Sequence, residues 1–274
     1  MSKVATILGA ILGMIILILS MIDFNSGKIL SAFFNWQGLL VVLGGTFAAT
    51  LINYPLGQFG CFFKSIVKIF SQETASPQLA IEQIIDLSHI AQQKGVLGLE
   101  KEIDFIDDKF LRFGITNLMI YRDEKSLRLS LEQSLNAMRM RHLTCQDVFN
   151  NMASYAPAFG MMGTVMGLIM MMTTQVAQDA VVVDGQGQDM LGALLQGMGL
   201  ALVTTFYGVL FSNFLFIPTA GKLKVLSDAE VLKNQILIEG IIGLKHEESP
   251  IMLREMLMVF VNDLTKQRLD QSMH

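Results

Sequence analysis

Residues 155–173 constrain the fold of this chain most, because the stretch is uncharged and as long as a bilayer-spanning helix requires. Pro157 loosens its backbone, Thr164 adds a hydroxyl group near its middle, and three glycines remove bulk: Gly160, Gly163 and Gly167. Glycines four residues apart, such as Gly163 and Gly167, let a second helix approach closely. The pattern therefore predicts a membrane helix that packs on another helix and lines a polar path, rather than a lipid-facing anchor.

Three further uncharged stretches of membrane-spanning length accompany it, at residues 4–22, 29–52 and 190–218. Only 16% of the chain is charged, whereas soluble domains average about 25%. The sequence therefore predicts an all-α, polytopic membrane protein with four transmembrane helices and a helical cytoplasmic domain. The predicted division is 1–55 for helices one and two, 56–150 for a cytoplasmic helical loop, 151–221 for helices three and four, and 222–274 for a cytoplasmic helical tail.

The long polar loop contains two helical patterns, at residues 77–93 and 124–141. In the second pattern, Glu124 and Arg128 have the i,i+4 spacing of a surface ion pair. Together these pieces of the loop are too short to bury a separate core, so we expect them to extend the membrane helices into the cytoplasm.

The distribution of lysine and arginine predicts the orientation of the chain. Of the 20 basic residues, 11 lie in the loop 56–150, 7 follow Pro218 and 1 is Lys3, while Lys28 alone falls in the first hairpin turn. The positive-inside rule then places both termini and the long loop in the cytoplasm. The net charge of −4 gives no reason to expect nucleic acid as a partner.

The four uncharged stretches contain no Asp, Glu, Lys, Arg or His. Ion carriers usually need an ionisable group inside the membrane, so a chain like this one would need a partner's carboxylate to move ions. Its own polar groups there include the hydroxyls of Thr164, Thr204 and Thr205. These either bond their own helix backbone or form an oxygen-rich niche for a hard cation such as Na⁺. Pro157 and Pro218 each release a backbone carbonyl and permit bending, or simply end a helical turn.

Sequence motifs of α/β-hydrolases, zinc proteases and P-loop NTPases are absent, and the four histidines are scattered along the chain. The chain is therefore predicted not to be an enzyme, and no metal site or resident cofactor is expected.

Two motifs resemble a known family. The segments APAFGMMGTVMGL (156–168) and ALVTTFYGVLFSNFLFIP (201–218) are similar to spans three and four of the MotA/PomA flagellar stator subunits, and the resemblance covers nearly the whole chain. It implies a pentameric ring in the bacterial inner membrane around a MotB/PomB-like single-span partner, which supplies the ion-binding aspartate. Transported Na⁺ or H⁺ would then turn a rotor through a FliG-like switch protein.

The resemblance also implies roles for particular residues. Pro157 and Pro218 match the paired prolines that couple bending to torque, and Thr164 and Thr205 match hydroxyls that sodium-driven members place near the ion. Together with Thr204, they favour Na⁺ over H⁺.

The loop also contains residues at the positions that face the rotor in the family. Glu100 matches an acid that faces the rotor. The family's arginine eight residues earlier is replaced by Gln92, with Lys94 nearby.

Two alternatives stay open at this point. TolQ/ExbB proteins, which energise outer-membrane processes with protons, share the glycine- and threonine-containing spans but lack the N-terminal hairpin. A passive membrane scaffold would explain the glycines as packing residues and the threonines as self-bonded. The single-span partner distinguishes the first alternative, and substitution of Pro157 or Thr205 distinguishes the second.

Overall fold

The computed structural model describes residues 2–22, 33–60, 65, 76–179, 187–261 and 266. Its helices in the first part of the chain are α1 (Ser2–Ser20), α2 (Trp36–Leu39), a π-helical turn (Leu40–Gly44), α3 (Gly45–Asn53) and α4 (Leu56–Phe59). The middle contains α5 (Pro77–Lys94), a 3₁₀ helix (Val96–Phe105), α6 (Lys109–Ile120) and α7 (Glu124–Asp179). The last part contains α8 (Gly187–Leu210), a second π-helical turn (Phe211–Phe216), α9 (Ile217–Lys245) and α10 (Pro250–Met258).

The prediction of an all-α membrane protein is confirmed. Within the described residues, three helical stretches are long and apolar enough to cross a bilayer: Trp36–Asn53, Glu124–Thr173 and Leu194–Lys245. The apolar helix Ile7–Ser20 is shorter. The count of four spans stays a prediction, and the first hairpin turn with Lys28 lies outside the described residues.

The chain divides into two compact units. The membrane unit comprises Met1–Glu73 and Thr144–Leu223, and the loop–tail unit comprises Thr74–Leu143 and Lys224–His274. In the membrane unit, fully buried side chains from α7 and from the second π-helical turn, such as Phe149, Met152 and Phe216, form the core together with Val42.

The loop–tail unit has its own hydrophobic core, so the expectation that its pieces would bury none is wrong. Five α-helices and the 3₁₀ helix contribute fully buried side chains, among them Ile84, Leu111, Leu127, Ile241 and Leu253. The loop and the tail are each too short to form a core alone. Together they bury enough apolar surface to form one.

Local signals set the ends of the helices in this unit. The carboxylate of Asp108 accepts hydrogen bonds from the N–H groups of Phe110 and Leu111 at the start of α6. The hydroxyl of Ser249 accepts one from Met252 at the start of α10, where Pro250 occupies the first helical position.

Candidate functional site

A line of small residues brings α7 and α8 into contact in the membrane unit. A Cβ atom added to Gly163 would lie 2.5 Å from the Cβ of Thr204 and 2.6 Å from its hydroxyl oxygen. One turn further along α7, a Cβ on Gly167 would lie 2.7 Å from the carbonyl oxygen of Gly197. The two backbones are therefore so close that a side chain at either glycine would displace its neighbour.

The same line continues to the other predicted glycine and to Pro157. A Cβ on Gly160 would lie 3.0 Å from the carbonyl oxygen of Thr204 and 3.4 Å from the Cα of Thr205. On the α8 side, a Cβ on Gly208 would lie 3.1 Å from the Cα of Pro157. Pro157, Gly160 and Gly163 thus lie against Gly208 and Thr204. The predicted glycines of α7 and two of the three predicted threonines, Thr204 and Thr205, meet at one helix–helix contact.

The three threonines differ in their surroundings. Thr204 is fully buried, and its hydroxyl lies 3.0 Å from the carbonyl oxygens of both Leu200 and Ala201. The Thr205 hydroxyl donates to Ala201 at 3.3 Å. Of these two residues, Thr204 is the one packed against Gly163.

Thr164 is half-buried, and its hydroxyl donates to the carbonyl of Met161 at 2.6 Å. Thr205 is also half-buried, so these two hydroxyls keep a partly open side. A hydroxyl that donates its proton to a carbonyl retains lone pairs, which can accept a hydrogen bond or coordinate a cation.

The two predicted prolines are accommodated in different ways. Pro157 lies inside α7, which continues through it as one helix. Pro218 is the second residue of α9 and follows the second π-helical turn. The N–H of Ile217 closes that turn by bonding the carbonyl of Ser212, five residues earlier. π-helical turns inside α-helices are frequent at functional sites.

Tyr207 is a contact that the sequence analysis missed. Its hydroxyl donates to the carbonyl of Phe33 at 2.7 Å and accepts the backbone N–H of Asn35 at 3.0 Å. These residues lie directly before α2, where the side chain of Asn35 accepts a hydrogen bond from the N–H of Gly38. Tyr207 is buried in the fourth predicted span, so one side chain satisfies two backbone groups from the other end of the sequence.

The three residues predicted to face a rotor lie in the loop–tail unit, and all are exposed. Gln92 and Lys94 are in the last turn of α5, and Glu100 lies in the 3₁₀ helix that follows. Gly95 joins the two elements with a φ of +72°, a conformation that glycine adopts without strain. Gly95 therefore forms the turn between α5 and the 3₁₀ helix. The roles of Gln92, Lys94 and Glu100 at a rotor stay predictions.

Ion pairs connect distant parts of the loop–tail unit. Arg128 donates two hydrogen bonds to the carboxylate of Glu239, at 2.6 and 2.9 Å. The predicted pairing of Arg128 with Glu124 is wrong, because Glu124 instead lies 3.2 Å from Nε2 of His246. The tertiary partner offers bidentate geometry, which an i,i+4 carboxylate on the same helix matches less well.

Asp108 and Arg128 are among the ionic groups of this unit that have shifted pKa values. Burial alone would raise the pKa of Asp108, but the hydrogen bond from Lys233 and those from Leu111 and Phe110 outweigh burial, so its pKa lies below the usual value. The hydrogen bond to Glu239 raises the pKa of Arg128. Both groups are therefore held in their charged forms.

No group of three or more His, Cys, Asp or Glu side chains in the described ranges is arranged to hold a metal ion.

Comparisons with known proteins show which family the chain resembles. Residues 102–236 match the model of the MotA/TolQ/ExbB proton channel family. Motility protein A of Treponema phagedenis is 32% identical over 240 residues, covering 88% of each chain. Chemotaxis protein PomA of Vibrio alginolyticus is 29% identical over 259 residues, covering 94% of this chain and 95% of PomA.

The fold is also similar to a solved structure. A chain of the flagellar MotAB stator complex from Bacillus subtilis superposes with a TM-score of 0.79 at 24% identity, covering 96% of this chain and 97% of that chain. The expectation that the chain is not an enzyme is confirmed, since these relatives are channel and motility proteins. The chain therefore belongs to the MotA/TolQ/ExbB family, and within it to the MotA/PomA group of motility proteins.

Proposed function

We propose that the chain is the ion-conducting stator subunit of a bacterial flagellar motor. In this proposal, cation flow through a complex with a MotB/PomB-like partner drives rotation of the flagellar rotor. One observation supports it most. The α7–α8 contact provides threonine hydroxyls and close glycine packing, while the uncharged spans contain no carboxylate. Such a subunit needs an acid from a single-span partner, and the solved relatives are complexes of two kinds of chain.

Sodium is the proposed coupling ion. The hydroxyls of Thr164 and Thr205 donate to carbonyls of their own helices, at 2.6 and 3.3 Å, and so expose lone pairs rather than protons. Oxygen ligands of this kind suit a hard cation that has lost its hydration shell. Thr204 is fully buried against Gly163, so its proposed contribution is to hold the two helices together beside the path.

The proposed assembly is a pentameric ring in the inner membrane, with the loop–tail unit and both termini in the cytoplasm. The excess of lysine and arginine in the loop and tail supports this orientation. Exposed Gln92, Lys94 and Glu100 would then face a FliG-like rotor protein. Contacts between exposed charges contribute about 1 kcal/mol or less each, so they would set the alignment of the rotor more than its affinity.

Complementation tests the proposal. The chain and the single-span protein encoded beside it are expressed in cells that lack stators, and swimming speed is measured against sodium concentration with and without a proton uncoupler. We expect speed to rise with sodium and to survive the uncoupler. Speed that follows the proton gradient alone would reject sodium, and absence of rotation with that partner would reject the stator function.

Matched threonine variants test the ion path. Thr164→Ala should weaken the sodium dependence of speed, and Thr164→Ser should retain it, because serine keeps the hydroxyl. Thr173→Ala is the control, since the Thr173 hydroxyl also bonds its own helix, at Ile169, but lies at the end of the span. Equal effects at Thr164 and Thr173 would contradict a specific role for Thr164.

The TolQ/ExbB function remains the second candidate, because the matched family model includes those proteins. The identity of the partner decides between the two. A neighbouring single-span protein with a peptidoglycan-binding domain supports the stator, and a TolR- or TonB-type partner supports the energiser.

A further inference from the structure

The carbonyl oxygen of Ala153 has lost its usual partner. In an α-helix, this oxygen accepts the N–H of the residue four positions later, which here is Pro157. Proline has no N–H, so the helix itself cannot satisfy this carbonyl. Ala153 is buried in the membrane unit, where an unpaired backbone group is costly.

Ser212 supplies the missing hydrogen bond. Its hydroxyl donates to the carbonyl oxygen of Ala153 at 2.7 Å, and the residue is only 3% exposed. The hydrogen bond of Ser212 differs from those of the three threonines of the candidate site. Thr164, Thr204 and Thr205 donate to carbonyls three or four residues back in their own helices, whereas Ser212 donates to another helix, 59 residues earlier in the chain.

Two features of the chain bring Ser212 to this position. Gly208, one turn earlier, allows close approach, because a Cβ there would lie 2.7 Å from the carbonyl oxygen of Ala156. Ser212 also lies in the π-helical turn before Pro218, and its own carbonyl accepts the N–H of Ile217. One residue thus bonds the helix at Pro157 with its side chain and closes the turn before Pro218 with its backbone.

We propose that Ser212 is the positioning residue of the hinge formed by residues 153–157. Its hydroxyl replaces the amide hydrogen that Pro157 lacks and holds the carbonyl of Ala153 to the fourth span, so that the two proline positions move together. The role in movement rests on the proposed stator function, and the hydrogen bond itself does not. A bend that moves residues 153–157 away from the second π-helical turn would stretch this hydrogen bond, so the bond would oppose such bending.

A double-mutant cycle tests the hydrogen bond without reference to function. Ser212→Ala is made in the natural chain and in a Pro157→Ala chain, and the melting temperature of the full-length protein is measured in detergent. We expect a clear drop in the natural chain and a drop less than half as large in the Pro157→Ala chain, because the new N–H at position 157 satisfies Ala153. Equal drops in the two backgrounds would overturn the proposal.

Two further variants serve as controls. Ser154→Ala removes a neighbouring hydroxyl that bonds its own helix at Asn150, and it should have equal, small effects in both backgrounds. Ser212→Thr keeps the donor and should retain more stability than Ser212→Ala. If Ser212→Ala fails to accumulate in the natural chain, its accumulation in the Pro157→Ala background gives the same comparison. Failure in both backgrounds contradicts the proposal.

Single-motor recordings test the positioning role. With a bead on one flagellum, the number of speed steps reports how many stators engage, and the step height reports the torque of each. Ser212→Ala should lower the step height at least twofold, with Ser212→Thr restoring part of it. Fewer steps of unchanged height would show a role in assembly only and overturn the positioning role. If the unaltered chain drives no rotation, the stator function fails, and the melting cycle still decides the hydrogen bond.

Discussion

Gly163 and Thr204 face each other so closely across α7 and α8 that a methyl group on Gly163 would lie 2.5 Å from the Cβ of Thr204. Thr204 is fully buried, and its hydroxyl bonds its own helix, so it has no free space into which to turn. Gly163→Ala should therefore force the helices apart and lower the stability of the membrane unit by about 1–3 kcal/mol. Thermal unfolding of the full chain in detergent measures this loss.

Gly199→Ala is the matched control for this prediction. Gly199 is also in α8, but a Cβ there would meet no atom within 4 Å. We expect its unfolding temperature to stay near that of the natural chain. If both variants lost the same stability, close packing at Gly163 would not be the cause.

The bidentate pair of Arg128 and Glu239 gives a second prediction. Their side chains are 35% and 29% exposed, so solvent weakens the pair and its loss should cost about 1 kcal/mol. Glu239→Gln keeps the size of the side chain and removes the charge. Glu132→Gln is the comparison, because Glu132 lies 4.0 Å from Arg128 and is 49% exposed. Hydrogen exchange of the loop–tail unit should detect the first change and show little for the second.

Asp108 makes the stability of the loop–tail unit depend on pH. Its pKa in the folded chain lies below the usual value, because the bonds from Lys233 and the start of α6 outweigh burial. The unfolded chain therefore binds the proton more tightly. The stabilisation is complete above the unfolded pKa of about 3.9 and is lost as the pH falls through the lower, folded value.

Denaturation of the full chain between neutral pH and about pH 2 checks this dependence. Asp108→Asn removes the titrating group and should make stability lower at neutral pH and less dependent on pH in the acid range. A variant with the same acid dependence as the natural chain would show that other carboxylates dominate.

Glu247 gives a prediction of increased stability. Glu247 lies just after α9, and its backbone has a left-handed conformation with a φ of +53°. The N–H groups of Glu248 and Glu247 bond the carbonyls of Gly243 and Leu244, the pattern of a helix end that glycine usually occupies. Glu247→Gly should raise stability by about 0.5–1 kcal/mol, because glycine adopts this conformation without steric cost.

Gly95→Ala is the converse experiment, since Gly95 also has a positive φ. It should lower the unfolding temperature of the chain, although a Cβ there would meet no neighbour within 4 Å. Stabilisation by alanine at Gly95, or destabilisation by glycine at position 247, would contradict the backbone argument.

The sequence was sufficient to predict the membrane helices, because missing charge over 155–173 and 190–218 leaves few other folds. It also identified glycines and threonines that lie at the α7–α8 contact, since spacing along one helix is a local property.

Tertiary partners were not predictable in the same way. Glu124 was the visible neighbour of Arg128, but Glu239 is 111 residues away and offers the better geometry. The core of the loop–tail unit was missed for the same reason. Leu127 belongs to the loop and Ile241 to the tail, and neither segment is long enough to form a core alone. The bond from Ser212 to Ala153 depends on a π-helical turn, for which the local sequence gives no clear signal.

The hydroxyl of Tyr207 also has a consequence for synthesis. The carbonyl of Phe33 and the N–H of Asn35 emerge from the ribosome more than 170 residues before the side chain that satisfies them. Until the segment that contains Tyr207 enters the bilayer, these two backbone groups must find water or another partner. The backbone before α2 therefore completes these hydrogen bonds only after residue 207 has been made, so a chain truncated before Tyr207 would leave both groups without this partner.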